Sequence, residues 1–497
     1  MNVPSTNPGL QEKLLVFLIA IVGAVHVFIF SAAYPFFNNV DEPTHFDLVV
    51  RYSHGDIPRK LTPVDDEALG YITVYGTLEY ANSLESQTNG AFAPPAWKQP
   101  FASVRDRLQA REAGYRAAFK NYEAAQPPLY YTLAGTWWRL GKAFGFSGER
   151  LLYWLRFLNV PLAFLLICLA WLATRLVFPE NVFIRGAVPA LIAFMPQTAF
   201  YSINNDILAP VTFGIVFILL LVFLESDRLS PGLAAGLGVA FAAAYLTKTS
   251  NLPLLALTAL AIAGKTFFIR KRLAPAALVI LLLTAGLPII GWMYWCKSNF
   301  GDLTGSILKI QFLGWTDKSF ADWWHHPIFT VSGFRTFIAD NIATLWLGEF
   351  TWHLHFLWPP EAKYVYASAT AAFFAITLIA LCWRPPAFSS RQQTALAFSF
   401  LAVAAMFAFF VLLSIKYDFQ DCFYPSREHP YFTSGRLMLG MLIPFLLICV
   451  AGLDRLLSKT TVKFKFLVLL VLLGLMLNAE ISQTWLIFPN DYNWFHP

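Results

Sequence analysis

The 497 residues of the chain are 57% hydrophobic and only 13% charged, whereas soluble domains average about 45–50% apolar and about 25% charged residues. This composition indicates a membrane protein and excludes a disordered chain, a coiled coil and a small secreted module held together by disulfides. The formal net charge of +6 is too small to indicate a partner nucleic acid.

Eleven apolar runs come close to the roughly 20 residues that a helix needs to cross a bilayer. They predict an all-α polytopic membrane protein that forms a single transmembrane domain over residues 1–497. The first run is too long for the core of a signal peptide and lacks a cleavage site, so we expect it to stay as a span. The predicted spans lie near residues 14–37, 151–174, 186–203, 207–225, 229–247, 250–269, 273–296, 364–383, 392–415, 437–453 and 464–486.

Basic residues fall on alternate connections between these runs, and positively charged short loops face the cytoplasm. The pattern predicts a cytoplasmic N-terminus and an outer C-terminus. The basic positions on the inner connections are Arg175, Arg185, Arg228, Lys265, Arg270, Lys271, Arg272, Arg384, Arg391, Arg455, Lys459, Lys463 and Lys465.

Two long loops, residues 38–126 and 297–363, then lie on the outer side. Residues 127–146 contain Trp137, Trp138, Arg139 and Lys142, so we interpret this segment as a helix at the outer interface rather than a span. In the first loop, helical spacing of apolar residues predicts an amphipathic surface helix. Its apolar positions are Val104, Leu108, Tyr115, Phe119 and Tyr122.

Asp41 and Glu42 follow the first span directly, and His45 lies three residues further on. A carboxylate that is partly buried at the outer bilayer surface can serve as a general base, and we assign this role to Asp41. The alternative is that the acidic pair and Pro43 only begin a helix.

Three further turns on the outer side carry charge. Asp206 follows Asn204 and Asn205, where the alternative is an N-cap for the next span. Lys248 ends an apolar helix, where it either binds an anion or extends its ammonium towards the headgroups. Arg436 precedes the tenth span, and its guanidinium is suited to clamp a phosphate.

The centres of the spans hold almost no charge beyond His26 and Glu480, which argues against an ion-coupled transporter. No histidine has the spacing of a recognised metal motif, so we predict no metal site. Eight of the sixteen tryptophans lie between Trp292 and Trp358, where they form an aromatic belt or stack on a sugar or a prenyl chain. The histidines considered for a metal are His26, His325, His326, His353 and His355.

Several of these stretches resemble the GT-C superfamily of integral-membrane glycosyltransferases, which includes protein O-mannosyltransferases and lipid A aminoarabinose transferases. Gln126 stands where many members of the superfamily have a histidine. The similar stretches are residues 41–46 with 51–58, the Pro-Pro-Leu segment at 126–131, residues 200–202 with Asp206, the Thr-Lys turn at Lys248, and the Gly-Arg element at 431–436.

The resemblance implies that the protein transfers a sugar from a polyprenyl-phosphate donor, with inversion, to a glycan, lipid or protein acceptor at the outer face of a bacterial plasma membrane, among membrane lipids. Asp41 would be the base, with Glu42 or Asp206 orienting it or holding a divalent cation, and Lys248 and Arg436 would bind the donor phosphate. Two other functions stay open, a flippase or transporter of lipid-linked glycans and a non-catalytic scaffold. The secondary candidates for the site are His45, Tyr201 and Gln126.

Overall fold

The computed structural model describes residues 9–38, 41–76, 94–269, 275–349, 351–352, 355–356, 358–383, 387–422, 424–489 and 491–496. Across these ranges most of the chain is helical, and the strands there form two short antiparallel ribbons. Strand β1 (Thr316–Asp317) pairs with β4 (Tyr417–Asp418), and β2 (Thr351–Trp352) pairs with β3 (His355–Phe356). The prediction of an all-α polytopic membrane protein is confirmed.

The structure contains helices that span the bundle and shorter helices in the two long loops. In chain order they are α1 (Leu10–Ala33), α2 (Glu42–Ser53), α3 (Asp66–Tyr75), α4 (Phe101–Ala118), α5 (Pro128–Ala143), α6 (Gly148–Arg156), α7 (Asn159–Val177), α8 (Val182–Ala193), α9 (Thr198–Tyr201), α10 (Leu208–Glu225), α11 (Pro231–Thr247), α12 (Leu252–Ile269), α13 (Pro275–Phe300), α14 (Ser306–Phe312), α15 (Phe320–Trp323), α16 (Val331–Leu347), α17 (Ala362–Cys382), α18 (Ser390–Lys416), α19 (Leu442–Leu456) and α20 (Val462–Thr484). Short 3-10 turns lie at Ala96–Lys98, Thr249–Asn251, Pro327–Phe329, Gly435–Met441 and Trp485–Ile487.

Among the described residues, nine helical segments are long and apolar enough to cross a membrane, and α8 and α11 are shorter apolar helices. Together these segments correspond to the eleven predicted spans. The third predicted span, 186–203, is interrupted, because α8 ends at Ala193 and the chain turns through Pro196 before α9. A proline disfavours helical backbone in the residue before it.

Two loop predictions need different boundaries. Helix α5 occupies the proposed interfacial segment, and at 16 residues it is shorter than the roughly 20 residues of a full span. The amphipathic helix is α4, which ends at Ala118, so Phe119 and Tyr122 lie beyond it. The prediction of one continuous apolar face that included these two rings was therefore wrong.

One buried ion pair joins the first residue of α2 to the last residue of α6. Two guanidinium N–H groups of Arg156 donate to the carboxylate of Glu42 at 2.9 and 2.8 Å, and both side chains are fully buried. Backbone N–H groups of Phe37 and Ile203 donate to the same carboxylate at 2.9 and 3.0 Å. We call this arrangement the Glu42–Arg156 clamp.

A second buried polar contact joins α1 to α20. The Nε2 atom of His26 lies 2.7 Å from Glu480, and the hydroxyl of Tyr201 donates to the other oxygen of Glu480 at 2.6 Å. His26 Nδ1 donates to the carbonyl of Ala193 at 2.9 Å. The two polar side chains noted in the spans therefore bind each other.

The two ends of the helical bundle differ in the charged contacts and turns that they contain. At one end Glu12 pairs with Arg185, and Asp454 pairs with Lys465. The other end holds the turns after α1, α9 and α11 and the turn before α19. Because the described parts of the long loops 38–126 and 297–363 also lie there, we call it the loop end.

Candidate active site

Asp41 lies at the start of α2, but its side chain makes no capping hydrogen bond to that helix. Its backbone has a φ of 64°, in the left-handed region that Asp and Asn tolerate better than most residues. The hydroxyl of Tyr122 donates to Oδ1 at 2.5 Å, and Nη2 of Arg436 donates to Oδ2 at 2.5 Å. The carboxylate thus binds distant groups instead of its own helix.

Asp206 is fully buried in the turn between α9 and α10. Its side chain does not cap α10, which has no side-chain cap. Instead, the ammonium of Lys248 donates to Oδ1, and Nη1 of Arg436 donates to Oδ2 at 3.3 Å. Asp206 therefore binds two cations at once.

Lys248 follows the last residue of α11, and only 5% of its surface is exposed. An ammonium that extends to the headgroups would be exposed, so this alternative does not describe Lys248. Burial lowers the pKa of Lys248, and the adjacent Asp206 offsets part of that effect.

Arg436 connects three carboxylates. Besides Asp41 and Asp206, its Nε lies 3.5 Å from Glu349, although Nε itself donates no hydrogen bond among the described residues. Glu349 accepts a hydrogen bond from the hydroxyl of Ser434 at 2.5 Å. We call Asp41, Asp206, Glu349, Lys248 and Arg436 the charge cluster.

Cations decide the charge state of two of these acids. Burial by itself would raise the pKa of Asp41, but Arg436 and Lys309 outweigh burial and hold that pKa well below its usual value. For Asp206, Lys248 and Arg436 likewise outweigh burial and lower the pKa. Glu349 differs, because burial raises its pKa more than Arg436 lowers it.

A second group of polar residues links the charge cluster to both long loops. The ammonium of Lys309 on α14 donates to Glu123 and lies 5.3 Å from the ring centre of Tyr122. The side-chain amide of Gln126 donates to the same Glu123. In turn, Asn205 donates to Gln126 at 3.1 Å, so Gln126 lies between the first loop and the turn that holds Asp206.

His45 is buried next to these groups. Its Nδ1 lies 2.6 Å from the hydroxyl of Tyr131. Burial lowers the pKa of His45 to about 4, against the opposing effects of Glu123 and Asp41. The imidazole is therefore neutral at pH 7.

The structure brings together Asp41, Asp206, Lys248 and Arg436, with His45 and Gln126 beside them. It places Glu42 in the Glu42–Arg156 clamp and Tyr201 on Glu480, so neither side chain reaches the charge cluster. No three His, Cys, Asp or Glu side chains gather as a possible metal site in the part of the chain that the structure describes. Of the histidines considered for a metal, His353 lies outside the described residues.

The sequence did not identify four residues as part of the site, namely Tyr122, Glu123, Lys309 and Glu349. Each lies in a long loop, and no motif marks it. Two tryptophans of the second loop, Trp346 and Trp358, are buried and donate hydrogen bonds within the protein. The indole of Trp346 donates to Thr370 at 3.0 Å, and that of Trp358 donates to the carbonyl of Gly348 at 3.3 Å.

Residues 23–420 match the family described as "Predicted membrane protein (DUF2142)". The chain belongs to this family. The family match includes every residue of the charge cluster except Arg436. No curated protein matches the chain in sequence.

Among solved structures, the DUF2142 chain is similar to the archaeal oligosaccharyltransferase AglB from Archaeoglobus fulgidus, which was determined in complex with an inhibitory peptide and a dolichol-phosphate. The TM-score is 0.44 at 13% sequence identity, and the alignment covers 96% of this chain. The chain spans only 56% of the length of AglB. A TM-score of this size does not establish a common fold.

Proposed function

We propose that this protein is a membrane glycosyltransferase that moves a sugar from a polyprenyl-phosphate donor to an acceptor at the extracytoplasmic face. The observation that carries the proposal is the charge cluster, in which Asp41 and Asp206 share the buried cation Arg436, and Asp206 also binds Lys248, at the end of the spans. The motif resemblance to the GT-C superfamily points to the same chemistry.

The position of the cations suits a lipid-linked phosphate. Lys248 directly follows the apolar helix α11, and Arg436 is the second residue of the 3-10 turn that leads into the buried helix α19. A ligand with a hydrocarbon tail in the bilayer would bring its phosphate to this depth. Charge-assisted hydrogen bonds from Arg and Lys bind phosphate strongly where water is excluded.

The proposed reaction is a single displacement. An acceptor oxygen or nitrogen attacks the anomeric carbon, and the bond from that carbon to the phosphate oxygen breaks. The electron pair stays on the phosphate, whose charge goes from −1 to −2, and the acceptor proton passes to Asp41. Attack on the side opposite to the phosphate inverts the anomeric carbon, and Lys248 and Arg436 stabilise the departing dianion.

Asp41 fits the role of base better than Asp206. The side chain of Asp41 is 15% exposed, whereas that of Asp206 is fully buried. An acceptor can reach only a carboxylate that has an open side, so we assign Asp206 to the positioning of Lys248 and Arg436. Because the clamp already occupies both oxygens of Glu42, we assign Glu42 to structure.

Replacement of Asp41 by Asn tests the proposal. Asparagine keeps the shape and the left-handed backbone but cannot accept the proton, so transfer should fall by about 10²- to 10⁴-fold. The matched control is Asp340→Asn, which removes an acid that pairs with Lys363 at 2.9 Å. The readout is mass spectrometry of membrane glycolipids, glycans and glycoproteins in cells that express each variant or lack the gene.

A product that disappears with the gene and with Asp41→Asn, but not with Asp340→Asn, supports the transferase. Full transfer by the Asp41→Asn protein would remove Asp41 from the role of base. An unchanged profile without the gene would favour a scaffold. Chelation of divalent cations in the same assay shows whether a cation contributes.

A further inference from the structure

Arg436 contacts three carboxylates, but its guanidinium is not fully hydrogen-bonded. Its Nη2 donates to Asp41 at 2.5 Å, while Nη1 is 3.3 Å from Asp206 and Nε is 3.5 Å from Glu349. The side chain is only 11% exposed, yet Nε makes no hydrogen bond among the described residues. A buried guanidinium N–H without an acceptor is costly, and a phosphate oxygen would satisfy it.

The three carboxylates depend on Arg436 to different degrees. Asp206 keeps Lys248 as a partner if Arg436 turns away, and Glu349 keeps the hydroxyl of Ser434. Among the described residues, Asp41 would keep the hydroxyl of Tyr122, which is neutral like that of Ser434. The contact that Asp41 would lose is the shortest of the three, at 2.5 Å against 3.3 Å for Asp206 and 3.5 Å for Glu349. Among these acids, Asp41 therefore loses most when an anion takes Arg436.

We infer that the donor phosphate and Asp41 compete for Arg436, so that binding of the donor releases Asp41 to act as the base. This inference rests on the proposed function. It requires that the donor binds before Asp41 can take a proton from the acceptor.

General physical chemistry favours such an exchange. A carboxylate that binds a guanidinium is a weak base, and a general base works best when its pKa is close to the working pH. Arg436 is the largest of the cationic contributions that lower the pKa of Asp41. Its transfer to a phosphate would raise that pKa towards the working range, at the time when the sugar is in place.

The competition predicts an unusual direction for the change in ligand affinity. Loss of a carboxylate next to the proposed active site should strengthen the binding of an isoprenyl phosphate. We expect Asp41→Asn to bind farnesyl phosphate about tenfold more tightly than the natural protein, since one charge-assisted hydrogen bond no longer has to be exchanged. Farnesol has the same tail without the phosphate, and its affinity should not change.

The experiment is calorimetric titration of the full chain in lipid nanodiscs with farnesyl phosphate and with farnesol. The control for loss of a negative charge at the loop end is Asp340→Asn, which should leave both affinities unchanged. A double-mutant cycle with Arg436→Gln tests the partner. In the Arg436→Gln background, Asp41→Asn should not increase the affinity for farnesyl phosphate, because the guanidinium for which Asp41 and the phosphate compete is absent.

Equal or weaker binding of farnesyl phosphate by Asp41→Asn would overturn the competition, and so would an equal gain with and without Arg436. In both cases binding by the natural protein would leave the proposed function standing. If the natural protein and all variants bind farnesyl phosphate no better than farnesol, the proposed function itself fails. Should Asp41→Asn not fold, Glu349→Gln is the second variant, with a smaller gain expected and the same outcomes.

Discussion

Asp41 and Glu42 are neighbours in the chain, yet their carboxylates have opposite surroundings. Glu42 receives two hydrogen bonds from Arg156 and two from backbone N–H groups. Arg156 also donates to the carbonyls of Ser31, Tyr34 and Pro35. The Glu42–Arg156 clamp is therefore hydrogen-bonded on both sides and closed to solvent.

The charge cluster lacks this completeness. Arg436 is divided among three acids, one of its N–H groups has no acceptor in the described chain, and Asp41 keeps an exposed side. A satisfied buried ion pair holds helices together, whereas one with unused bonding capacity can accept a ligand at little cost. The two sites together indicate that a buried charged group is a candidate for function when some of its hydrogen-bond donors or acceptors are unsatisfied.

The largest expected effect comes from the clamp. Glu42→Gln leaves the charge of Arg156 buried without a carboxylate, which should lower the free energy of unfolding by about 3–5 kcal/mol. Thermal unfolding of the purified protein in nanodiscs measures the loss. The double variant Glu42→Gln with Arg156→Met should recover part of it, because no uncompensated charge remains. A fully stable Glu42→Gln protein would contradict the structural role of the clamp.

Arg436→Gln should have a smaller effect on stability and a clear effect on binding. It removes the cation that three acids share, so we expect a loss of about 3 kcal/mol, the upper end for a hydrogen bond to a charged group. Binding of farnesyl phosphate should weaken in the same protein. Arg427→Gln is the control, since Arg427 pairs with Asp418 on the surface and should leave both measurements unchanged. Equal behaviour of the two variants would remove the distinction between the two arginines.

Tyr122→Phe tests the hydrogen bond that Asp41 accepts from the hydroxyl of Tyr122. The change removes the hydroxyl that donates to Asp41 but keeps the ring that stacks on Phe312. We expect a loss of about 1.5 kcal/mol in the free energy of unfolding, the lower end for a hydrogen bond to a charged group. Chemical denaturation measures it, and in the Asp41→Asn background the loss should become smaller. An undiminished loss there would mean that the hydroxyl stabilises something other than the charge of Asp41.

The smallest effect concerns pH. The pKa of His45 is lowered to about 4 from 6.5, so below pH 6.5 the unfolded chain binds a proton that the folded protein does not. The free energy of unfolding should therefore fall as the pH drops, by about 1 kcal/mol between pH 7.5 and 6. His45→Gln cannot titrate and should lack this part of the fall. Identical pH profiles of the two proteins would show that His45 is not buried in its neutral form.

The helices could be predicted because each apolar run contains its own signal. Hydrophobic length identifies a span regardless of its neighbours. The structure interrupts two of the predicted spans, one between α6 and α7 and one at the Pro196 turn after α8. The four charged residues at the centre of the site could be named because each lies in a turn on the same predicted side. Their roles are still predictions.

The other site residues could not be found in the same way. Glu349 and Glu123 are single acids in long loops, and only folding shows that Arg436 and Lys309 lie beside them. The contact between Arg436 and Asp41 joins residues 395 positions apart. Likewise, the sequence predicts that Glu42 supports Asp41 at the site, and only the position of Arg156 shows that Glu42 belongs to the clamp.

The bond between His26 and Glu480 has a consequence for biogenesis. Its two residues are 454 positions apart, so during synthesis α1 enters the bilayer long before α20 exists. Until then the imidazole has no carboxylate to bind. During most of its insertion, the nascent chain therefore has a polar imidazole in α1 that lacks the carboxylate of Glu480. Insertion of α20 supplies this partner.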